Sequence, residues 1–143
     1  MKKLVLILAL VVSFISCNTT SKTTNSTKET VQKSQDTVRI ANDSIEYEII
    51  IFEPGFNSWL ETRAKPEGYY TQSYLESRNQ MFVTEWNIRV NQPSRYSPNL
   101  YEMRINYSPH IDYGYEVNYK LYNYFIFFQL HYRQQLSSFI PRI

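Results

Sequence analysis

Residues 124–128 read YFIFF, and helical spacing carries on to either side of them. Leu121, Phe125, Phe128, Tyr132 and Leu136 fall on one face of a helix predicted from about Glu116 to Leu136. Lys120, Asn123 and Gln129 interrupt the apolar run, which at five residues is far short of the roughly 20 that cross a bilayer. A buried core helix is therefore expected, and the other elements have to be arranged around it.

Those elements read as mixed α and β. Val38 and Ile40 alternate with Thr37 and Arg39, ANDS at 41–44 is turn-like, and SIEYEIIIF follows with Ile45, Tyr47, Ile49 and Ile51 on one face. Together they predict a hairpin. The opposite face of its second strand runs from Glu46 and Glu48 to Ile50 and Phe52, which suggests a strand that enters the protein as it proceeds. Pro54-Gly55 ends it. Ser58-x-x-Glu61 and Ser73-x-x-Glu76 both fit capping boxes, predicting a short helix from about Trp59 and a longer one to about Val90. Leu75, Phe82, Trp86 and Val90 line one side of the longer helix. Strict alternation in YEMRINY at 101–107 predicts a further strand. A two- to three-stranded sheet is marginal in water unless covered. The expected fold is thus α+β, a small sheet covered by about three helices, the last one long and aromatic-rich.

The other end of the chain constrains its location. Lys2 and Lys3 precede an apolar run from Leu4 to Val12, and SFISCN at 13–18 carries the single cysteine, Cys17. Positive, apolar, then small is the order of an export signal. Small Ser16 directly before the cysteine resembles the lipobox of bacterial lipoproteins, with Phe14 where Leu is usual. Residues 1–16 read as the signal peptide and 17–35 as a lipidated Cys17 with a flexible Ser/Thr/Lys-rich tether. Residues 36–143 read as a single globular domain. Asn18, rather than Asp, follows the cysteine, favouring the periplasmic face of the outer membrane. Taking Lys2 and Lys3 from the 15 basic residues leaves 13, equal to the 13 acidic ones, so no nucleic-acid partner is expected. With one cysteine, disulfides within the chain and thiolate clusters are excluded.

No reaction is legible. Three scattered glycines, Gly55, Gly68 and Gly114, make no phosphate loop. His110 and Asp112 in a loop, joined by an inward Glu85, are the catalytic candidates for an envelope hydrolase. The simpler reading is that Asp112 caps the last helix and Glu85 pairs with Arg89. Neither a metal nor a cofactor is expected. Trp59, Trp86, Asn87, Tyr113 and Tyr115 are the binding candidates, because Tyr and Trp favour interfaces. The chain has 13 tyrosines, which either straddle the core boundary or form a binding face. Asp36-Thr37-Val38 and Asp43-Ser44-Ile45 match a three-residue O-glycosylation pattern at Thr37 and Ser44.

EYEIIIFEPGFNSWL at 46–60, FVTEWNIRVNQP at 82–93 and YEMRINYSPHIDYGYEVNYKLYNYF at 101–125 together resemble a family of small bacterial envelope lipoproteins known only as a domain of unknown function. The resemblance implies a lipid-anchored envelope protein and carries over no catalytic residue. The expectation is a non-enzymatic binding or scaffolding module with a Tyr-rich surface. Its partners would be membrane lipid through Cys17 and an envelope protein or polymer. Radiolabelled palmitate should be incorporated by the native chain and lost in Cys17→Ser; undiminished labelling of that variant would refute lipidation.

Overall fold

The computed structural model describes residues 37–141. The expected signal peptide, Cys17 and the expected tether lie outside the described residues. In chain order the elements are β1 (Thr37–Asn42), a 3-10 turn (Asp43–Ile45), β2 (Tyr47–Phe52), α1 (Phe56–Thr62), α2 (Gln72–Val90) and α3 (Gly114–His131). This is the α+β architecture expected, with two antiparallel strands among the described residues and an aromatic-rich last helix.

Helix α3 is the element on which β1, α1 and α2 all pack. From Val117 to Gln129 every residue except Lys120 is buried. A helix apolar all round can be stable only inside, and its polar interruptions are neutralised locally. Asn118, Asn123 and Gln129 each donate to the carbonyl four residues back, on Gly114, Tyr119 and Phe125, at 2.9, 2.9 and 3.0 Å. Their oxygens then fasten other elements. The Asn118 amide oxygen accepts from Asn79 on α2 at 3.1 Å and from the Tyr107 hydroxyl at 2.7 Å. The Gln129 oxygen accepts from the Leu136 amide at 2.8 Å.

Helix starts and stops differ from expectation in three places. Helix α1 begins at Phe56, with Gly55 at φ +84° as its N-cap, and Ser58 lies inside it rather than capping it. Helix α2 is capped by Thr71, whose hydroxyl accepts from the Tyr74 amide at 3.3 Å, two residues before the expected Ser73. Helix α3 ends at His131, five residues short of Leu136. Arg133 turns left-handed at φ 52° and the Gln134 amide closes back on the Gln129 carbonyl at 3.0 Å, the bond of a Schellman end. Leu136 is still buried, as a tail residue returning to the core.

The hairpin pairs Thr37 with Phe52 through to Asn42 with Tyr47. Tyr47, Ile49 and Ile51 face the core, as expected. The opposite face does not enter the protein: Ile50 is 59% and Phe52 73% exposed. With only two strands and helices behind them, nothing among the described residues covers that face.

The strand expected at 101–107 is not formed. Its alternation holds only in part: Tyr101 and Ile105 are buried and Glu102, Arg104 and Asn106 exposed, but Met103, in phase with the buried pair, is 71% exposed. No strand pairs with it among the described residues, and side chains of α2 bond its backbone at Met103 and Ile105 instead. The Trp86 indole donates to the Met103 carbonyl at 2.8 Å. Asn87 donates to the Ile105 carbonyl and accepts from the Ile105 amide, both at 2.9 Å. One amide side chain therefore takes the place of a ladder residue. Asn87→Ala removes both bonds and should lower stability in urea denaturation by about 2 kcal/mol, given roughly 1 kcal/mol per net hydrogen bond. Ser58→Ala should stay within about 0.5 kcal/mol, as at other surface positions. Equal effects would refute this account of residues 101–107.

Candidate functional site

The binding candidates are engaged in scaffold bonds at separate places. Trp59 packs on Phe56 and edge-on to Phe127. Trp86 and Asn87 hold residues 103 and 105, as described above. Tyr113 is buried against Tyr47 and Tyr107, and its hydroxyl accepts from the Ser108 amide at 2.9 Å. The Tyr115 hydroxyl accepts from the Gly68 amide at 2.6 Å. Thr37 opens β1 half-buried, and Ser44 is exposed in the 3-10 turn. Cys17 lies outside the described residues.

The catalytic candidates are not assembled. Asp112 accepts from the Gln72 amide group at 2.8 Å and from the Gly114 amide at 2.9 Å, tying the start of α2 to the start of α3. Gly114 stands at φ +78°, a backbone that L side chains rarely adopt. His110 is exposed beside Asp112. Glu85 lies 13 residues along α2 from Gln72, roughly 20 Å at 1.5 Å per residue, and accepts from Arg89 at 2.8 Å. Arg89 in turn donates to the Tyr101 hydroxyl at 2.8 Å and to the Gln135 carbonyl, and its guanidinium lies over the Tyr96 ring. Glu85 is thus half of an ion pair that ties the tail to α2. Among the described residues no three His, Cys, Asp or Glu side chains are grouped so as to hold a metal.

Twelve of the thirteen tyrosines lie in the core or pack against it. Tyr101, Tyr113, Tyr119, Tyr122 and Tyr124 are buried, Tyr69 is 60% exposed, and the rest are half-buried. Their hydroxyls reach polar partners at the core boundary: Tyr119 donates to the Lys65 carbonyl and Tyr47 to the Asn106 carbonyl, each at 2.8 Å. Burial, reinforced by the Glu76 charge, pushes the Tyr107 phenol up to about 12. The described surface also carries an open groove.

It lies beside β2. A groove of about 540 Å³ runs between residues 46–53 on one side and 99–106 on the other, with Trp86, Tyr124, Phe128 and Tyr132 also lining it. No residue of β1 lines it, so it opens on the edge of β2 that carries no neighbouring strand among the described residues. Along that edge alternate residues direct N–H and C=O away from β1. The opposite wall is extended chain. Its Met103 and Ile105 groups turn to α2, and the Asn106 carbonyl turns to Tyr47 of β2. Glu102 and Arg104 share the phase of Asn106, and their backbone groups make no hydrogen bond among the described residues. The lips are apolar, with Ile50 and Phe52 on one side and Met103, 71% exposed, on the other.

The groove is also acidic. Glu46, Glu48, Glu53 and Glu102 line it against one base, Arg104, with Glu48 paired to Arg39. Glu53 is the unusual member, only 6% exposed. Its carboxylate accepts from the Tyr132 hydroxyl at 2.9 Å, and no Lys or Arg pairs with it among the described residues. Sequence reasoning missed Glu53 because a single Glu before Pro-Gly carries no motif. A larger groove of about 790 Å³ contains His110, Asp112, Glu76 and Gln80. There the Gln72 amide group already joins Glu76 to Asp112, at 2.8 Å each, so those carboxylates are engaged.

A family model described as "Family of unknown function (DUF6146)" matches residues 4–140. The chain belongs to DUF6146. No curated protein and no solved structure matches it.

Burial holds the Glu53 carboxyl above the usual carboxylate range, against the opposing pull of the Tyr132 hydrogen bond and the His131 charge. A carboxyl raised on folding binds its proton more tightly in the folded state. Its contribution is therefore fully present below the unfolded value of about 4.3 and is lost as pH rises through the folded value. Glu53→Gln removes that loss. The variant should exceed the parent in urea stability at pH 7, and the difference should vanish near pH 4, below the unfolded carboxyl value; equal stability at pH 7 would refute the reading.

Proposed function

We propose that this DUF6146 chain is a lipid-anchored cell-envelope lipoprotein, held at the periplasmic face of the outer membrane. Its folded domain acts as a non-enzymatic binding module whose site is the groove between β2 and residues 99–106. The anchoring half of the reading is supported by the Lys2-Lys3, Leu4–Val12, Ser16-Cys17 order. The family match begins at residue 4 and so takes in the apolar run and Cys17 along with the domain. Two acyl chains on a cysteine hold a protein firmly where one does so only marginally.

The observation that carries the binding half is the groove itself. Two extended backbones face one another across it without pairing, and exposed Ile50, Phe52 and Met103 stand at its lips. Exposed apolar side chains grouped around a concavity mark interaction sites. The tyrosines contribute through the lining, in Tyr47, Tyr124 and Tyr132, rather than as an outer face. The hydrolase alternative has no assembled site to support it, since Glu85 is engaged with Arg89 far along α2 from Asp112.

A photo-crosslinking amino acid placed at Phe52 or at Met103 of the full chain tests this in whole cells. Specific adducts are expected from both positions and none from exposed Ser94, which does not line the groove. Adducts of equal yield from Ser94, or none from either lip, would sink the proposal.

A further inference from the structure

We infer that the groove receives an extended polypeptide segment bearing Lys or Arg, which adds a strand to the free edge of β2. The inference rests on the binding-module reading and names the chemistry of the partner.

Backbone complementarity comes first. An edge strand presents a row of unpaired N–H and C=O groups that only another extended backbone can match in register. Here the opposite wall offers the same kind of group at Glu102 and Arg104. The walls do not pair with each other at the Tyr47 end, where the Tyr47 hydroxyl, not the β2 backbone, donates to the Asn106 carbonyl at 2.8 Å. Paired strands lie roughly 4.8 Å apart. An inserted strand would bond β2, with the unbonded backbone groups of Glu102 and Arg104 lining the same groove. The six residues of β2 run about 20 Å at roughly 3.4 Å each, which sets the length of the paired segment.

Charge selects the occupant. Glu46, Glu53 and Glu102 have no Lys or Arg pairing with them among the described residues, and Arg104 is the one base in the lining. Glu53 is buried with a phenol as its hydrogen-bond donor. A buried carboxylate is best stabilised by a cation, and a Lys or Arg of the partner supplies one. Alternate side chains of an added strand point to opposite faces. One set reaches Glu53 and the groove lining, while the other lies between Ile50 and Phe52 on one lip and Met103 on the other. A second copy of this chain fits less well. Pairing two β2 edges would gather Glu46, Glu48 and Glu102 of both copies, and residues 99–106 stand across each edge.

The test uses the full chain and three fluorescent octapeptides: alternating Lys-Val, alternating Glu-Val, and Lys-Val with alternate amides N-methylated. The Lys-Val peptide should bind at least about tenfold tighter than either of the others, since charge and ladder bonds are both required. It should slow amide exchange at residues 47–52. Glu53→Gln with Glu102→Gln should weaken it several-fold while leaving the melting temperature at or above that of the parent. Equal affinity for Glu-Val or for the N-methylated peptide, no binding of Lys-Val, or a dimer that Lys-Val does not dissociate would each overturn the inference. If crosslinks from Phe52 and Met103 persist while the peptides fail, the binding module stands and its basic strand partner does not. Loss of those crosslinks removes the module itself.

Discussion

The structure depends on the requirement that α3 be buried on nearly every side. A helix with Phe125, Ile126, Phe127 and Phe128 in succession has no solvent face along that stretch. Elements must therefore approach it from several directions, and β1, α1, α2 and the tail at Leu136 all do. The three amides in that helix turn a liability into fasteners. Each bonds its own helix through nitrogen, and Asn118 and Gln129 present their oxygens to neighbouring segments. Buried polar groups cost free energy unless satisfied, so these contacts select one arrangement of the wrapping elements.

Wrapping a central helix with so short a chain leaves a thin sheet. Two strands cover part of α3, and the segment that could have been the third is instead drawn to α2 by Trp86 and Asn87. The result is a free strand edge facing an extended chain across a groove. Glu53 sits in that groove as a carboxylate satisfied by a phenol rather than by a cation. The feature that makes the sheet incomplete is thus the same feature that opens the groove proposed as a binding site.

Helix α2 shows how far local pattern carries. Its buried Leu75, Phe82 and Trp86 are legible as a period of three to four residues. Its cap was not, because Thr71 and Ser73 are both competent and only the position of the helix against α3 chooses between them. Residues 101–107 fail for a related reason. Alternation shows which side chains could share a face, but a strand also requires a second backbone alongside, and without it even Met103, in phase with buried Tyr101 and Ile105, stays exposed. The polar-aromatic cluster Glu85-Trp86-Asn87 stood out as candidate chemistry, and its bonds proved to be the framework's own: Glu85 to Arg89, Trp86 to Met103, Asn87 to Ile105. The groove's most informative groups are the backbone of Glu102 and Arg104 and a single buried Glu53, none of which carries a motif.

By itself the sequence determined that residues 124–128 form part of a core helix, that a hairpin precedes the helices, and that no three cysteines exist to build a thiolate site. These follow from composition and from periodicity over a few turns, which are local quantities. Only the tertiary structure decided that the tyrosines go mostly inward, that Ile50 and Phe52 stay outside, and that Asn87 stands in for a strand partner. Those outcomes depend on which segment packs on each surface of α3. Side chains far apart in the chain compete for the same backbone groups, and short-range pattern holds no record of the winner.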